Sequence, residues 1–475
     1  MKIKKYIWGV AALLVLYVLY ALCTGVFPFG RQRAVPEDFA ASVSAADFYG
    51  EAPCADRVAL VESPTEGFQA RLHILDSAKE RVDVSYYAMH MGQSTDLFLG
   101  ALLDAADRGV KVRLLVDGQF GGLTASNRPY AEAIGAHPNI DLKLYNPPNF
   151  LKPWTLNGRL HDKYIIVDDE LLLLGGRNIG DKYFAMGGYE KPLSFDRDVL
   201  VYNTAGAEAD SALFDVRQYM DALWDGEDVS APFSVDSKRG EEKRQELRAL
   251  YTQYRAENPE LFDHSGDDYV GWTFSANRVS FFHNDTQIGM KEPKAGYILG
   301  ELLRSAEKSV VLQSPYVILD PQLEELLNDL GAGQIDAEIL TNSIAASPNP
   351  LASTAFFGDR QTILDAGIRL TEYQGQHSLH AKSYIIDERM SVVGSYNLDP
   401  RSAYIDTELM LAIDSEDFAA RLKQAQDKYR LESLPVDENG EYSADSSLLP
   451  RPMPLIKKIM VCALYFPVKL FKYLT

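Results

Sequence analysis

Two segments of the chain carry the same polar residues at the same spacing. In each, a histidine is followed by a lysine and then by an aspartate: His161, Lys163 and Asp168, and again His380, Lys382 and Asp387. Further along, both segments contain a glycine and, three residues later, an asparagine, Asn178 or Asn397. A single copy could be a solvated hairpin with an incidental histidine, but two matched copies favour a functional motif.

These residue types suit the chemistry of a phosphate ester. A phosphodiester anion is stabilised by cations and by amide or hydroxyl donors around its oxygens. The candidates for that role are Lys163, Lys382, Asn178, Asn397 and Ser395. One neutral histidine can attack phosphorus while a second, protonated one gives a proton to the leaving alcohol. Because the two lysines can do what a metal ion would do, we predict no metal and no other cofactor.

The pattern around each motif predicts a hairpin that positions these side chains. The β-branched and apolar residues predict a strand over 161–167, in which His161 and Lys163 face the same side. A turn that begins at Asp168 leads to a returning strand, and a glycine bend then brings Asn178 back beside the histidine. The second copy predicts the same arrangement.

The elements that precede the motifs also occur twice. An amphipathic helix over 67–79 leads into a strand at 82–87, and a similar helix over 296–308 leads into a strand at 310–316. Helices that alternate with short apolar strands indicate an α/β layered fold, and the two copies indicate duplication. A charged helix over 236–262 is expected to pack on one of the two domains.

The N-terminal segment predicts a membrane helix. Residues 7–23 are nearly all apolar, which is long enough to span a hydrocarbon core of about 30 Å. A cleavable signal peptide is the alternative, but Leu22 before Cys23 makes a poor cleavage site. The lysines that precede the span favour a cytoplasmic N-terminus. We therefore predict a single-pass anchor in a bacterial cell membrane, with the catalytic body outside the cytoplasm.

The C-terminal segment and the net charge also concern the membrane. From Pro450 onward, apolar residues are interleaved with lysines, and Pro467 is expected to break the segment. This pattern predicts a basic amphipathic stretch on a membrane surface, with a helix packed on the body as the alternative. The formal net charge of the chain is -20, which argues against a nucleic-acid partner.

The complete His-x-Lys-x4-Asp motifs resemble those of the phospholipase D superfamily. The segments Gly-Gly-Arg-Asn-Ile-Gly-Asp (175–181), Ser-Leu-His-Ala-Lys (378–382) and Gly-Ser-Tyr-Asn-Leu-Asp-Pro-Arg-Ser (394–402) are similar to the bacterial cardiolipin synthase branch, most of all to its C type. The resemblance implies an α/β fold of two tandem pseudo-symmetric α-β-α sandwich domains with mixed sheets, whose motifs line one cleft. The predicted organisation is an anchor (1–30), a linker (31–56), a first domain (57–235), a linker helix (236–275), a second domain (276–433) and a tail (434–475).

The same resemblance implies a covalent phosphatidyl-histidine intermediate. His161 is then the nucleophile and His380 the acid, although the symmetry of the motifs permits the reverse. Asp168 and Asp387 lie at the far ends of the predicted strands and are expected to be structural.

Other residues are expected to support the two imidazoles. Asp198 and Glu408 are the candidates to orient them, by the usual arrangement of a base and the acid that holds it. Gly176 departs from the family pattern, which has serine there, so the first half lacks the hydroxyl that Ser395 provides in the second. Of the remaining histidines, His90, His283 and His377 are candidate cleft residues. We expect His73, His137 and His264 to be surface or packing residues.

The resulting functional hypothesis is a phosphatidyltransferase. It would form cardiolipin from phosphatidylglycerol and a second phospholipid, either phosphatidylglycerol or phosphatidylethanolamine. A phospholipase D-type hydrolase remains an alternative, and a nuclease is disfavoured by the charge. A non-catalytic membrane scaffold that retains the fold is the alternative from another class.

Overall fold

The computed structural model of the protein describes residues 2–208, 210–232, 237–443 and 447–475. Its helices are α1 (Lys2–Gly25), α2 (Glu37–Ser42), α3 (Pro64–Ser77), α4 (Gln93–Asp107), α5 (Arg128–Gly135), α6 (Asp181–Phe184), α7 (Ala212–Trp224), α8 (Lys238–Glu257), α9 (Tyr269–Trp272), α10 (Lys294–Arg304), α11 (Pro321–Ala332), α12 (Pro350–Asp365), α13 (Pro400–Tyr404), α14 (Glu416–Arg430) and α15 (Leu455–Leu470). Short 3-10 helices cover Phe27–Gly30, Ala45–Phe48, Ala125–Asn127, Pro153–Leu156, Gly206–Glu208, Pro259–Phe262, His264–Gly266 and Lys472–Leu474.

The strands form two large sheets and one small one. They are β1 (Asp56–Val61), β2 (Arg81–Tyr86), β3 (Lys111–Asp117), β4 (Ile140–Tyr145), β5 (Lys163–Val167), β6 (Leu171–Gly175), β7 (Ser194–Phe195), β8 (Asp198–Asn203), β9 (Val229–Ser230), β10 (Phe274–Ser275), β11 (Arg278–His283), β12 (Ser309–Gln313), β13 (Asp336–Asn342), β14 (Arg369–Tyr373), β15 (Ser378–Leu379), β16 (Lys382–Ile386), β17 (Met390–Gly394), β18 (Leu409–Asp414) and β19 (Ser433–Val436). The first sheet has the order β10-β1-β8-β6-β5-β2-β3-β4-β9 and the second the order β11-β18-β17-β16-β12-β13-β14-β19.

Both large sheets mix parallel and antiparallel pairs in the same way. In the first, β2, β3 and β4 are parallel, and the antiparallel hairpin β5–β6 lies beside β2. In the second, β12, β13 and β14 are parallel, and the hairpin β16–β17 lies beside β12. The predicted α/β fold of two duplicated domains with mixed sheets is confirmed, and the motif hairpins occupy equivalent places in the two sheets.

The two sheets face each other across a shared core. Alternate side chains of a strand point to opposite faces of its sheet. On β5, Ile165 points into the core under the outer helices, whereas Tyr164 and Ile166 point into the core between the domains. On β16, Ile385 joins that same inter-domain core while Tyr384 packs on the other side. Because every residue of β5 is buried, the hairpin that bears the first motif is held on both faces.

The segments expected to be linkers are packed against the domains. Helix α8 lies on α4 and α5 and buries Leu247 and Tyr251. The region expected to be a linker over 31–56 contains α2 and a 3-10 helix whose Phe48 meets Phe282 of β11 edge to face, with ring centroids 6.1 Å apart. The predicted boundary at residues 235/236 falls on residues outside the described part of the chain.

Both ends of the chain lie against the body. The segment Tyr6–Gly30 is long and apolar enough to cross a membrane, by length and composition. Helix α15 packs on α12. The predicted break at Pro467 is wrong, because the helix continues through the proline to Leu470. Val461 and Val468 are buried against the second domain on either side of that proline, which holds the helix together although one backbone N–H is missing.

Candidate active site

Each motif begins just before the first strand of its hairpin. The strand predicted to start at His161 starts at Lys163, so the histidine lies in the segment that leads into β5. Lys163 Nζ donates a hydrogen bond to the backbone carbonyl of His161. Lys382 Nζ does the same to the carbonyl of His380. The predicted neighbourhood of histidine and lysine is thus present in both halves.

A short parallel strand pair joins the second histidine to the first domain. Strand β15, directly before His380, pairs with β7 of the first domain, with Leu379 opposite Phe195. The backbone N–H of His380 donates to the Phe195 carbonyl at 2.7 Å. The residue that directly follows β7 is Asp196, whose Oδ2 lies 2.5 Å from His380 Nδ1. The first domain therefore supplies the carboxylate that holds the second domain's histidine.

The reciprocal contact holds the first histidine. Leu160 forms a parallel bridge with Thr407 of the second domain, and the Thr407 N–H donates to the Arg159 carbonyl at 3.0 Å. The next residues of the two segments then meet, with His161 Nδ1 2.9 Å from Glu408 Oε1. Because each imidazole is held by an acid from the other domain, the two motifs form one composite site between the domains.

Aromatic rings enclose both imidazoles. The ring centroid of Tyr87 lies 5.0 Å from that of His161, and Tyr183 lies 6.0 Å from His380. The His161 side chain is 11% exposed and the His380 side chain 23% exposed. The site is therefore largely shielded from water but remains open on the side of the second histidine.

The prediction that Asp198 orients an imidazole is wrong, because Asp196 is the aspartate that contacts His380. The two oxygens of Asp198 accept hydrogen bonds from the buried guanidinium of Arg71 at 3.0 Å each, and Oδ2 also accepts from Arg177 at 3.0 Å. Asp198 is thus the counter-charge of two buried arginines, which need one in a low-dielectric interior. The two aspartates are only two positions apart in the sequence, so the motif pattern alone does not distinguish them.

Ser395 contacts the orienting acid. Its hydroxyl donates to Glu408 Oε2, and the Ser402 hydroxyl donates to Glu408 Oε1 at 2.6 Å. Sequence reasoning assigned Ser395 to the phosphate and missed Ser402. At Gly176, an added Cβ would lie 2.3 Å from Asp196 Oδ1, so the first half has no room for the serine of the family pattern. The first half thus combines Gly176 with Asp196, whereas the second half combines Ser395 with Glu408.

The two motif asparagines have different surroundings. Asn178 Oδ1 accepts from the Ala88 N–H at 3.2 Å, and its Nδ2 donates to the Tyr183 hydroxyl at 3.1 Å. Asn397 Oδ1 is buried and has no hydrogen-bond donor within the part of the chain that the structure describes. Asn178 therefore braces Tyr183 beside His380, while Asn397 keeps hydrogen-bonding capacity for a bound group.

The motif aspartates lie at the opposite end of each hairpin, at its turn. Asp168 accepts hydrogen bonds from three successive backbone N–H groups, those of Lys79, Glu80 and Arg81. Asp387 accepts from the equivalent three in the second domain, 307–309. Both carboxylates thus tie the hairpin turn to the start of the neighbouring strand, and neither contacts a histidine.

Three other histidines lie at different distances from the site. His90 stacks on Tyr183 with ring centroids 6.1 Å apart, so it borders the site. His377 Nδ1 accepts from the Leu193 N–H at 3.0 Å, beside the strand pair that carries Asp196. His283 packs on Tyr219 with centroids 4.5 Å apart, at the edge strand β11.

Burial and nearby charges shift the protonation of both histidine–lysine pairs. Burial, with Lys163 and Lys382 nearby, lowers the pKa of His161 well below its ordinary value. Burial beside Lys382 likewise lowers the pKa of His380 to about 4. Burial lowers the pKa of Lys163 to about 7. Both imidazoles are therefore neutral at pH 7 before an anion binds, and Lys163 is close to its titration point.

The two orienting acids differ electrostatically. Burial raises the pKa of Glu408 to about 8, although the charge of Lys163 opposes the shift. For Asp196, burial is outweighed by the charges of Lys382 and His380, which lower its pKa below the ordinary range. The carboxylate beside His380 is thus the more firmly ionised of the two. An ionised carboxylate stabilises an imidazolium, so His380 is the better placed of the two to carry a proton.

Comparison with known proteins places this geometry in a family. A family model described as "Cardiolipin synthase, PLD-like domain" matches residues 72–207 and 299–429. Cardiolipin synthase C of Escherichia coli (strain K12) is 30% identical over 400 residues, which cover 76% of this chain and 81% of that protein. Cardiolipin synthase 1 of Staphylococcus epidermidis (strain RP62A) is 25% identical over 371 residues, which cover 77% of this chain and 66% of that protein.

A solved structure shows the same fold. The crystal structure of phosphatidylserine synthase from Haemophilus influenzae Rd KW20 superposes with a TM-score of 0.63 at 19% sequence identity, covering 91% of this chain and 99% of that one. The chain is a phospholipase D-like protein with two domains and one composite site between them. It belongs to the cardiolipin synthase family of these proteins, and the resemblance inferred from the motifs is confirmed.

Proposed function

We propose that the protein is a phosphatidyltransferase that forms cardiolipin. The observation that carries the proposal is the pair of crossed contacts, Asp196 with His380 and Glu408 with His161, which give one site two imidazoles in a defined orientation. Both Nδ1 atoms face a carboxylate, so both Nε2 atoms remain for the substrate. One site with two such nitrogens suits transfer in two steps through a covalent intermediate.

In the first step, His161 Nε2 attacks the phosphorus of a phospholipid. A P–N bond forms, the P–O bond to the headgroup alcohol breaks, and His380 gives its Nε2 proton to the leaving oxygen. Lys163 and Lys382 stabilise the charge that develops on the phosphoryl oxygens. The anionic substrate raises the pKa of the imidazole that it approaches, and the firmly ionised Asp196 makes His380 the one that becomes an imidazolium.

In the second step, the same residues act in reverse. A glycerol hydroxyl of phosphatidylglycerol attacks phosphorus, His380 takes its proton, and the P–N bond to His161 breaks. The product is cardiolipin when the acceptor is phosphatidylglycerol. The donor is phosphatidylglycerol, which releases glycerol, or phosphatidylethanolamine, which releases ethanolamine.

The substrate reaches the site from a bilayer beside the anchor helix α1. Tyr17 and Tyr20 of α1 donate hydrogen bonds to the carbonyls of Phe150 and Leu151, each at 2.9 Å. The side chains of Phe150 and Leu151 are 67% and 81% exposed, as is usual for a loop that dips into lipid and unusual for one in water. We call residues 149–154 the membrane loop, and this loop precedes His161 closely in the sequence. The catalytic body then lies against the outer face of the cytoplasmic membrane.

The C-terminal helix lies on the same membrane. Its buried valines face the body, and the large hydrophobic residues that remain exposed are Leu455, Ile456, Ile459, Met460, Tyr465, Phe466 and Leu470. Lysines flank them, and lysine is attracted to anionic lipid. The chain as a whole has a formal net charge of -20 and is repelled by such lipid, so basic and apolar contacts at both of its ends counter that repulsion.

A lipid assay decides between synthase and hydrolase. Purified full-length protein is incubated with phosphatidylglycerol vesicles, and the products are separated by mass spectrometry. We expect cardiolipin and free glycerol, and neither from His161→Ala or His380→Ala. Phosphatidic acid without cardiolipin would establish the hydrolase instead. Turnover that survives either histidine substitution would reject the two-histidine mechanism, and no turnover by the unsubstituted protein would favour the scaffold.

A further inference from the structure

Two histidines outside the active site converge on one carboxylate. His73 of α3 and His264 of the segment after α8 have ring centroids 4.4 Å apart. His73 Nε2 lies 3.0 Å and His264 Nδ1 lies 2.7 Å from the same oxygen, Asp267 Oδ2. These side chains are partly buried, with exposed fractions of 15%, 29% and 14%.

The outer nitrogens of both rings have acceptors that fix their protons. His73 Nδ1 lies 2.8 Å from the Leu261 carbonyl, which can only accept, so this nitrogen carries the hydrogen. His264 Nε2 lies 3.0 Å from Asp76 Oδ2. The Asp76 carboxylate also accepts from the Arg255 guanidinium, so it faces His264 Nε2 as an acceptor and this nitrogen donates as well.

With the hydrogen on the outer nitrogen, the inner nitrogen of each ring offers a lone pair. His73 Nε2, His264 Nδ1 and Asp267 Oδ2 all lie within 4.8 Å of one another, and each is an acceptor. Three acceptors that face one another without a hydrogen between them repel, unless a cation lies among them. Carboxylate or carbonyl acceptors on the outer nitrogens are the usual second layer of a histidine metal site.

We propose that His73, His264 and Asp267 bind a divalent transition-metal ion of the zinc class. Two imidazoles and one carboxylate suit zinc, whereas magnesium and calcium prefer oxygen ligands. A groove of about 750 Å³, lined also by Glu66, Glu260 and Asp263, borders His73 and Asp267 and would leave the ion accessible to water. The prediction of no metal and of ordinary packing roles for His73 and His264 is replaced by this proposal.

The ion would fasten a connecting segment to the first domain. His73 belongs to α3, whereas His264 and Asp267 belong to the stretch that joins α8 to β10 and leads into the second domain. A ligand set drawn from both would hold that stretch at a fixed place on the first domain. The role is structural, because none of the three residues contacts the histidines of the composite site.

The test uses purified full-length protein and Zn²⁺ as the probe. After removal of metals with a chelator, the protein is titrated with Zn²⁺ by calorimetry and its Tm is measured with and without the ion. We expect one equivalent to bind and the Tm to rise by a few degrees, reversibly with chelator, because ligand binding to the folded state stabilises it.

Three variants identify the ligands. His264→Gln and Asp267→Asn should each lose zinc binding at least tenfold and lose the Tm shift. His137→Gln is the matched control, since His137 pairs with a carboxylate, Asp107, at 3.1 Å without a second histidine. The absence of a stoichiometric zinc site in the unsubstituted protein overturns the proposal. Equal binding by all three variants overturns it too, and neither outcome depends on lipid activity.

Discussion

At the scale of single residues, the two histidines are held by acids of different strength. Glu408 contacts His161 Nδ1, accepts from the Ser395 and Ser402 hydroxyls and has a raised pKa, whereas Asp196 is firmly ionised beside His380 and Lys382. A pseudo-symmetric pair of motifs thus acquires unequal electrostatics from a few neighbours. This difference supports the division of labour between nucleophile and acid.

The first prediction distinguishes Asp196 from Asp198. Asp196→Asn removes the charge that holds His380, and we expect the kcat of the folded variant to fall by about 10²–10⁴-fold, as for other acids that orient a catalytic histidine. Asp198→Asn instead leaves two buried guanidiniums short of a counter-charge, which costs about 3–5 kcal/mol of folding free energy. Lipid turnover and urea unfolding of both variants check this.

The matched comparison lies in the second domain. Glu408→Gln should behave as Asp196→Asn does, because each acid holds one imidazole across the domain interface. Met410 pairs with Gly394 in the second sheet as Asp198 pairs with Gly175 in the first, so Met410 is the structural counterpart of Asp198. Met410→Leu should therefore leave kcat unchanged. A larger fall in kcat for folded Asp198→Asn than for Asp196→Asn would refute the correction.

The second prediction concerns pH. Because the pKa of His161 is well below its ordinary value, this imidazole stays neutral and nucleophilic down to mildly acidic pH. The pKa of Lys163 is about 7, so its charge is present below pH 7 and is lost as the pH rises. We expect kcat/KM on vesicles to be bell-shaped, with an alkaline decline that begins near neutrality. A flat profile from about pH 5 to 9 would contradict paired protonation roles.

The sequence predicted the chemical residues of the motifs but not all of their contacts. The paired spacing of His161 and His380 pointed to the imidazoles. It did not show which of Asp196 and Asp198 meets an imidazole, because the contact is made with the other domain, far away in the sequence. The second domain contains a signal that separates the two aspartates. Met410 pairs with Gly394 there as Asp198 pairs with Gly175 in the first domain. Glu408, two residues before Met410, therefore corresponds to Asp196.

At the scale of elements, the motif aspartates fasten the hairpins. Asp387 has a left-handed backbone (φ 51°) at the turn and accepts from three backbone N–H groups. Burial opposes ionisation there, but these hydrogen bonds outweigh it and lower the pKa of Asp387. Its stabilising contribution is thus present at neutral pH and is lost as the pH falls below the ordinary carboxyl value of about 4.

The third prediction follows from this fastening. Asp387→Ala should lower the free energy of unfolding by about 1.5–3 kcal/mol, because hydrogen bonds to a charged acceptor are lost. The kcat of the folded variant should stay within a few-fold of the original. Thermal unfolding and vesicle turnover measure the two effects. Glu388→Ala, at the neighbouring exposed turn position, is the control and should change neither; a kcat as low as that of His380→Ala would assign Asp387 to the chemistry.

Sequence periodicity located the hairpins and the paired helices, but not the fine limits of the elements. The strand predicted from His161 begins at Lys163, because the residues before it pair with the other domain instead of continuing in the sheet. Pro467 was expected to break the tail, but burial of Val468 against the second domain keeps α15 continuous. Tertiary packing decided both cases.

At the scale of the whole molecule, the domain interface completes the site. The strand pair β7–β15 and the bridge of Leu160 with Thr407 carry each acid to the other domain's histidine. Duplication visible in the sequence predicted two halves that meet. The pairing of each histidine with an acid of the other domain depends on contacts between residues far apart in the sequence. No local sequence pattern specifies such contacts.

The fourth prediction concerns the membrane loop. Phe150→Ser with Leu151→Ser removes apolar surface that we place in the bilayer, and we expect turnover of vesicle phospholipid to fall at least tenfold. Turnover of a short-chain phospholipid below its micellar concentration should change less than twofold, because the site itself is intact. Leu431→Ser, at another exposed leucine (82%), is the control. Equal losses on both substrates would place the loop in the catalytic machinery instead.

The most direct test of the two-histidine account uses a phospholipid with a p-nitrophenyl headgroup, whose leaving group needs no proton. His380→Ala should release about one equivalent of p-nitrophenolate and retain the phosphatidyl group on His161, because the base for the second step is missing. His161→Ala should release none. Mass spectrometry of acid-quenched protein locates the adduct. An adduct on His380 would reverse the roles, and release without any histidine adduct would contradict the covalent mechanism.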